Sequence, residues 1–120
     1  MKSGKPILIV DDDPYILDFL EAVLQASGYL VVTAGGGHEA LQWLESNRPG
    51  LILLDMSMPV MNGTEFLQKV RSRSDPGPPV VVMTAMDDAR RLSRDLGTKG
   101  WLQKPFDLDT LLMVVESLLE

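Results

Sequence analysis

The sequence predicts an α/β domain in which helices cover both faces of a parallel sheet. Short apolar runs of strand length alternate with longer amphipathic stretches, and five such pairs fit into the 120 residues, as repeated βαβ units require. Residues 51–54 are continuously apolar, which is typical of a strand buried on both sides, so we place this strand in the middle of the sheet. With 45% hydrophobic residues, residues 1–120 are expected to form one domain.

Strand 1 is predicted over residues 6–10 and is followed by helix 1. Asp13 suits the N-cap because its carboxylate can accept from free amides of the first turn, and Pro14 suits the first helical position. Gly28 lies just past the end of this helix, where a left-handed conformation is common. The predicted buried face, at helical spacing, consists of Ile16, Phe19, Leu20, Val23 and Leu24.

Strand 2 is predicted over residues 29–34, and three glycines lead from it into helix 2. The inward face of helix 2 carries Ala40, Leu41 and Leu44, and residues 47–50 break the helix. Strand 3 follows over residues 51–54.

A long turn then contains Pro59 and the pair Asn62-Gly63. Helix 3 carries the apolar residues Phe66, Leu67 and Val70. The proline-rich residues 75–79 are predicted to form a stiff loop into strand 4.

Strand 4 covers residues 80–83, and helix 4 has only Leu92 and Leu96 as strong apolar contacts before Gly97. Strand 5 is predicted over residues 100–103. Helix 5 follows an Asp107 cap, and its apolar residues are Leu108, Leu111, Leu112, Val115, Leu118 and Leu119.

Composition excludes several classes of function. The formal charge of −6 opposes binding to nucleic acid or to an anionic membrane surface, because phosphate groups are bound by excess lysine and arginine. The chain has no cysteine and one histidine, His38, so disulfides and the usual zinc sites are excluded. Neither a signal peptide nor a run of about 20 apolar residues is found, and we expect a cytoplasmic location.

Polar residues follow four of the predicted strands. Asp11 and Asp12 follow strand 1, Asp55 follows strand 3, Thr84 follows strand 4, and Lys104 follows strand 5. Because parallel sheets bind ligands at the carboxyl ends of their strands, these side chains are expected to share one pocket.

That set of side chains suits an aspartyl phosphate held by a divalent cation. Neighbouring carboxylates about 4 Å apart repel each other by about 4 kcal/mol at an effective dielectric constant near 20, and Mg²⁺ offsets such repulsion. A carboxylate can attack phosphorus, while an amine and a hydroxyl neutralise phosphoryl oxygens. The residues alone leave open which of the three carboxylates is the nucleophile.

Four segments of the chain carry a resemblance to a known family. They are residues 9–13 (Ile-Val-Asp-Asp-Asp), 54–63 (Leu-Asp-Met-Ser-Met-Pro-Val-Met-Asn-Gly), 83–85 (Met-Thr-Ala) and 101–106 (Trp-Leu-Gln-Lys-Pro-Phe). The chain resembles the receiver domains of two-component response regulators over nearly its whole length. The resemblance implies a flavodoxin-like, doubly wound sheet of five parallel strands in the order 2-1-3-4-5, with five helices.

The resemblance also implies roles for the site residues. Asp55 would be the phosphoacceptor, and Mg²⁺ would be held by Asp11, Asp12, Asp55 and the backbone carbonyl of Ser57. Lys104 would bind the phosphoryl group, and the Lys104-Pro105 bond would be cis. Thr84 would act as a switch hydroxyl, with Trp101 at the position where the family has an aromatic residue that turns inward.

A histidine kinase or a histidine phosphotransfer protein would supply the phosphoryl group, and an output domain or protein would respond to it. A homodimer through helix 4, strand 5 and helix 5 is a further implied possibility. The stretch from Thr84 to Trp101 is a residue or two shorter than the family leads us to expect, so we expect helix 4 to be short or partly unwound. Such a protein phosphorylates and dephosphorylates only itself, so we do not predict an enzyme.

Two rival functions stay open at this point. Phosphatases of the haloacid dehalogenase type also use a strand-end aspartate with Mg²⁺, but they need a second acid two residues later, where this chain has Ser57. A docking module that works without phosphorylation is the other. Residues 35–40 match the G-x-G-x-x-A pattern of a dinucleotide-binding turn. That turn should follow the first strand, where this chain has three aspartates that would repel a pyrophosphate, so we reject this function.

Overall fold

The computed structural model describes residues 4–74 and 77–119, and it contains five strands and five helices in strict alternation. The strands are β1 (Ile7–Val10), β2 (Val31–Ala34), β3 (Leu51–Asp55), β4 (Val80–Thr84) and β5 (Gly100–Gln103). The helices are α1 (Pro14–Ala26), α2 (Gly37–Leu44), α3 (Gly63–Arg73), α4 (Ala89–Leu96) and α5 (Leu108–Leu118).

All five strands run parallel in the order β2-β1-β3-β4-β5. The predicted flavodoxin-like topology is therefore confirmed, with β3 at the centre and every residue of β3 buried. β5 is an edge strand whose residues alternate between buried and exposed, and its buried Leu102 belongs to the apolar layer that also contains residues of α1 and α5.

Alternate residues of each strand contribute to two separate apolar layers, as the pleat requires. One layer joins Leu8, Val10, Ile52 and Leu54 to residues of α2 and α3. The other joins Ile7, Ile9, Leu51 and Leu53 to residues of α1 and α5. The sheet is thus buried on both sides, and the buried polar residues Asp11, Asp55 and Thr84 lie at the ends of its strands.

Local sequence signals place most helix ends correctly. The Asp13 carboxylate accepts a hydrogen bond from the Tyr15 amide with Pro14 in the first turn, and Gly28 follows the helix with φ of 94°. Asp107 caps α5 through the Thr110 amide, and hydrogen bonding to its carboxylate lowers the pKa of Asp107. The prediction of a short helix 4 is also confirmed, since α4 has eight residues.

Two predictions need correction. Phe19 is 53% exposed, and the apolar face of α1 includes the partly buried Leu17 instead. β2 begins at Val31 rather than at residue 29 because the ladder starts where Ile7, the first residue of β1, pairs with Val31. Of the predicted loop at residues 75–79, the first two residues lie outside the described part of the chain.

No helix within residues 4–74 and 77–119 combines the length and the apolar character needed to cross a bilayer.

Candidate functional site

Strand register brings the predicted site residues to one edge of the sheet. Val10 pairs with Leu54 and Asp55 pairs with Met83, so Asp11 and Asp55 end neighbouring strands at the same height. Thr84 pairs with Gln103, which places Lys104 one residue further along the edge strand. The Lys104 amide donates to the Thr84 carbonyl over 2.6 Å.

The side chain of Lys104 joins the two buried carboxylates. Its Nζ lies 3.2 Å from Asp11 Oδ2 and 3.3 Å from Asp55 Oδ1. Asp11 is 1% exposed and Asp55 is 3% exposed. A buried charge is costly unless it is paired, so both carboxylates need a cationic or hydrogen-bonding partner. In the structure, the ammonium group offsets part of the repulsion between the two carboxylates.

Backbone amides orient the same carboxylates. Asp13 donates its N–H to Asp11 Oδ1 over 2.9 Å, and Ser57 donates its N–H to Asp55 Oδ1 over 3.3 Å. Each donor lies two residues after the carboxylate that it contacts, so the turn that follows each strand fixes the side chain. Because these donors are backbone amides, no residue type in the sequence indicates them, and the sequence analysis did not predict them.

Burial and charge shift the pKa values of this site. Burial and the nearby Asp11 charge raise the pKa of Asp55, against an opposing effect of Lys104 and the Ser57 amide. Burial by itself would lower the pKa of Lys104, but Asp11 and Asp55 together outweigh it and raise that pKa. Lys104 therefore stays an ammonium ion at neutral pH, and Asp55 is the carboxylate for which ionisation is disfavoured.

The third acid, Asp12, is exposed beside this pair. One carboxylate oxygen from each of Asp11, Asp12 and Asp55 lies within 4.8 Å of the others. The three line an open cleft of about 490 Å³ together with Asp13, Tyr15, Ser57, Ala85 and Lys104. Carboxylate oxygens on an open, water-accessible site are the donors that Mg²⁺ takes in proteins, so the residues present fit a Mg²⁺ ion.

The loop from β3 to α3 packs tightly behind Asp55. The Asn62 carboxamide accepts from the Glu65 amide and the Glu65 carboxylate accepts from the Asn62 amide, which forms a capping box. A Cβ atom at Gly63 would lie 2.9 Å from the Met56 Cα and 3.0 Å from the Asp55 carbonyl oxygen. Glycine thus allows α3 to begin directly against the strand end that carries Asp55.

Thr84 ends β4, and Trp101 lies on the neighbouring strand β5, where it pairs with Val82. Thr84 is 1% exposed, and its hydroxyl oxygen accepts a hydrogen bond from the Met86 amide over 3.1 Å. Trp101 is 42% exposed on the outer face of β5. The Lys104-Pro105 peptide bond is cis.

A doubly wound α/β domain with three acids and a lysine at its strand ends is the arrangement expected of a receiver domain. The model of the response regulator receiver domain matches residues 7–116. The chain belongs to this family, whose members are signalling modules rather than classical enzymes.

Individual relatives agree with this assignment. The response regulator MprA of Mycolicibacterium vanbaalenii is 39% identical over 115 residues, which cover 94% of this chain and 49% of the relative. The probable transcriptional regulatory protein TcrX of Mycobacterium tuberculosis is 32% identical and matches 98% of this chain and 51% of its own length. The chain thus spans about half the length of the curated relatives that it matches.

Among solved structures, the chemotaxis response regulator CheY4 of Vibrio cholerae has a TM-score of 0.88 at 35% identity, with 98% of this chain and all of that chain covered. The response regulator TrrA of Thermotoga maritima, solved in complex with Mg²⁺ and BeF, has a TM-score of 0.84 at 33% identity over 96% of this chain and 99% of that one.

Proposed function

We propose that this domain is a phosphorylation-activated switch whose phosphoacceptor is Asp55. The observation that carries the proposal is the contact of one ammonium group with two buried carboxylates, beside an exposed third acid at the carboxyl edge of the sheet. Asp55 is the central member of this set because it ends the central strand and lies between Asp11 and the Thr84 strand.

The chemistry follows from these positions. An ionised oxygen of Asp55 attacks phosphorus in line, a new P–O bond forms, and the bond from phosphorus to the donor breaks. With a phosphohistidine donor the broken bond is P–N, and the imidazole leaves with the electron pair and takes up a proton. Lys104 Nζ, now 3.3 Å from Asp55 Oδ1, neutralises charge on the transferred phosphoryl group.

Asp11, Asp12, Asp55 and the Ser57 carbonyl are the proposed ligands of Mg²⁺. When bound, the ion supplies positive charge to the phosphoryl oxygens. The Asp13 and Ser57 amides hold the carboxylates of Asp11 and Asp55 in orientation, so the acidic side chains do not have to be ordered during the reaction.

The proposed readout is a change of partner for the Thr84 hydroxyl. Thr84 now accepts from the Met86 amide, and an arriving phosphoryl oxygen offers a charged acceptor for the hydroxyl proton, which makes a stronger hydrogen bond. Movement of Thr84 towards the phosphoryl group opens space behind it. Trp101, half exposed on the neighbouring strand, is proposed to turn inward in response.

The partners that we propose follow from the family. A histidine kinase or a histidine phosphotransfer protein donates the phosphoryl group in the cytoplasm, and an output domain or protein reads the face formed by α4, β5 and α5. β5 and α5 expose apolar side chains, Trp101, Leu108 and Met113 among them, which suit a protein partner or a second copy of the chain.

The experiment is phosphorylation by acetyl phosphate and Mg²⁺, followed by intact-protein mass spectrometry. Wild type should gain one phosphoryl group, and Asp55→Asn should gain none. Asp18→Asn, an exposed aspartate on α1, is the matched control and should behave as wild type.

Two results would contradict the proposal. Phosphoryl uptake by Asp55→Asn would show that another residue is the acceptor, and no uptake by wild type would favour a docking module. Continuous release of phosphate from an added phosphomonoester, rather than a single modification, would point to a phosphatase.

A further inference from the structure

The loop of residues 56–62 joins β3 to α3 and carries the Ser57 carbonyl that the proposed function assigns to Mg²⁺. Hydrogen bonds fix both of its ends, because the Met56 amide donates to the Met83 carbonyl over 3.0 Å and the capping box closes the other end. In the part of the chain that the structure describes, no backbone–backbone hydrogen bond involves residues 58–61. The middle of the loop must therefore be held by side-chain packing.

Two methionines of this loop supply that packing. Met58 and Met61 are each 5% exposed and belong to the same apolar layer as Ala40 and Leu41 of α2. The two residues between the methionines are exposed. The buried methionines thus attach the loop to the layer that α2 covers, while the rest of this stretch faces solvent.

Met61 lies against Gly37, the first residue of α2. A Cβ atom at Gly37 would lie 2.6 Å from Met61 Sδ and 3.2 Å from both Met61 Cβ and Met61 Cγ. Rotation of the methionine side chain could move Sδ away, but the position of its Cβ is set by the backbone. Full relief of this contact therefore requires the loop itself to move.

Backbone conformation does not explain the glycine at position 37. Gly37 is not among the glycines with positive φ, and alanine normally favours a helix more than glycine does. Gly36, one residue earlier, has an extended φ of 175°, and a Cβ atom there would meet nothing within 4 Å. The close approach of Met61 is thus what distinguishes Gly37 from its neighbour.

We propose that Met61 is a positioning residue, whose contact with Gly37 holds the loop against α2 and so sets the place of the Ser57 carbonyl relative to Asp11 and Asp55. This inference rests on the proposed function for the role of that carbonyl as a Mg²⁺ ligand, but the packing itself belongs to the metal-free fold. Mg²⁺ demands near-ideal octahedral geometry. A displaced carbonyl should therefore lower the affinity for Mg²⁺ even when the three acids stay in place.

Gly37→Ala tests the contact by the addition of one methyl group. Gly36→Ala is the matched control, because the same methyl group meets no atom at that position. In metal-free protein, the NMR amide signals of Ser57 and Met58 should shift in Gly37→Ala and keep their wild-type positions in Gly36→Ala.

The second readout is the affinity for Mg²⁺, from titration of the same amide signals with the metal alone. Gly37→Ala should weaken binding roughly three- to tenfold, somewhat less than the loss of about 10- to 100-fold that is typical when a direct partner of a metal ligand is removed. Gly36→Ala should bind Mg²⁺ within about twofold of wild type, as expected for a substitution on an open surface.

Met61→Ala separates positioning from a general loss of packing. The variant loses Sδ and Cγ, so it should itself weaken Mg²⁺ binding roughly three- to tenfold. In that background the methyl group of Gly37→Ala meets only the Cβ of residue 61 and fills part of the vacated space, so it should change the affinity by less than about twofold. Urea unfolding of each variant establishes that binding is measured on folded protein.

An unchanged Mg²⁺ affinity in Gly37→Ala would overturn the inference even if that variant is less stable, since Met61 would then be a core residue without influence on the site. The same loss of affinity from Gly37→Ala in both backgrounds, or equal amide shifts in Gly36→Ala, would overturn it as well. Should Gly37→Ala fail to fold, wild-type affinity in Met61→Ala would overturn it. Wild type that binds no Mg²⁺ would contradict the proposed function instead, and the metal-free amide signals would then decide whether Met61 fixes the loop.

Discussion

Lys104→Met should destabilise the metal-free protein and make its stability depend strongly on Mg²⁺. At an effective dielectric constant near 20, each of the two contacts of Lys104, at 3.2 and 3.3 Å, corresponds to about 5 kcal/mol of attraction. The carboxylate oxygens of the cluster lie within 4.8 Å of one another, so each pair repels by at least about 3.5 kcal/mol at the same dielectric constant. Removal of the ammonium leaves this repulsion without compensation.

The net effect is smaller than the Coulomb values because the ammonium group also loses hydration when it is buried. Loss of one partner of a buried ion pair costs about 3 to 5 kcal/mol of unfolding free energy. We expect a loss in this range at pH 7 without metal. Mg²⁺ should recover more stability in the variant than in wild type, because the ion then binds carboxylates that have no other cation.

The pH dependence has a definite sign. The folded-state pKa of Asp55 is raised above its ordinary value of 3.8, chiefly by burial and then by Asp11. The contribution of such a group to stability is complete below pH 3.8 and is lost as the pH rises through the folded-state pKa. Since Lys104 lowers this pKa, its removal raises the pKa of Asp55 further. The loss of unfolding free energy caused by Lys104→Met should therefore become smaller when the pH is lowered from 7 to 5.

The assay is urea unfolding of wild type and variant at pH 7 and pH 5, each with EDTA and with Mg²⁺. Lys69→Met, at an exposed position of α3, controls for the change of residue type. A deficit below about 1 kcal/mol at pH 7, far under the cost of breaking a buried pair, would refute the reasoning. A deficit that is the same at both pH values, or equal gains from Mg²⁺ in both proteins, would refute it too.

Two further predictions concern the metal and the switch. Asp12→Asn should raise the melting temperature without metal, because Asp12 adds a third negative charge that Lys104 does not contact. The variant should also show a smaller rise in melting temperature on addition of Mg²⁺. Thermal melts in which Mg²⁺ raises the melting temperature of both proteins equally would count against Asp12 as a ligand. In a Trp43→Phe background, Trp101 fluorescence should change on treatment with acetyl phosphate and Mg²⁺, because its side chain is half exposed on the edge strand. A constant emission spectrum from protein whose mass confirms the modification would show that Trp101 only covers the edge of the sheet.

Much of the fold was predictable because its signals are local. An aspartate before a proline, and a glycine after an apolar helix face, fix the ends of α1 through backbone geometry alone. The exposed Phe19 was not predictable in the same way. Helical periodicity locates the apolar stripe only to within a residue, and contact with the sheet decides whether Leu17 or Phe19 lies at its margin. Likewise, the start of β2 depends on its register with Ile7, which is a non-local property.

The site shows the same division. Residues that follow strands in the sequence must meet at one edge of a parallel sheet, so the gathering of the acids with Lys104 follows from topology. The amides of Asp13, Ser57 and Met86, which hold the acids and the Thr84 hydroxyl, are groups that every non-proline residue possesses. Only the conformation of each turn decides which of them point into the site.

Charge balance connects the lysine and the metal more closely than the sequence suggested. Three carboxylates and one ammonium leave two negative charges in the cluster, which one divalent cation would neutralise. Lys104 contacts both buried acids in the structure, so it can hold the cluster together without metal and still reach Asp55 when a phosphoryl group is attached. We propose that Lys104 both stabilises the resting domain and neutralises the transferred phosphoryl group, so Lys104→Met should impair stability and phosphoryl uptake together.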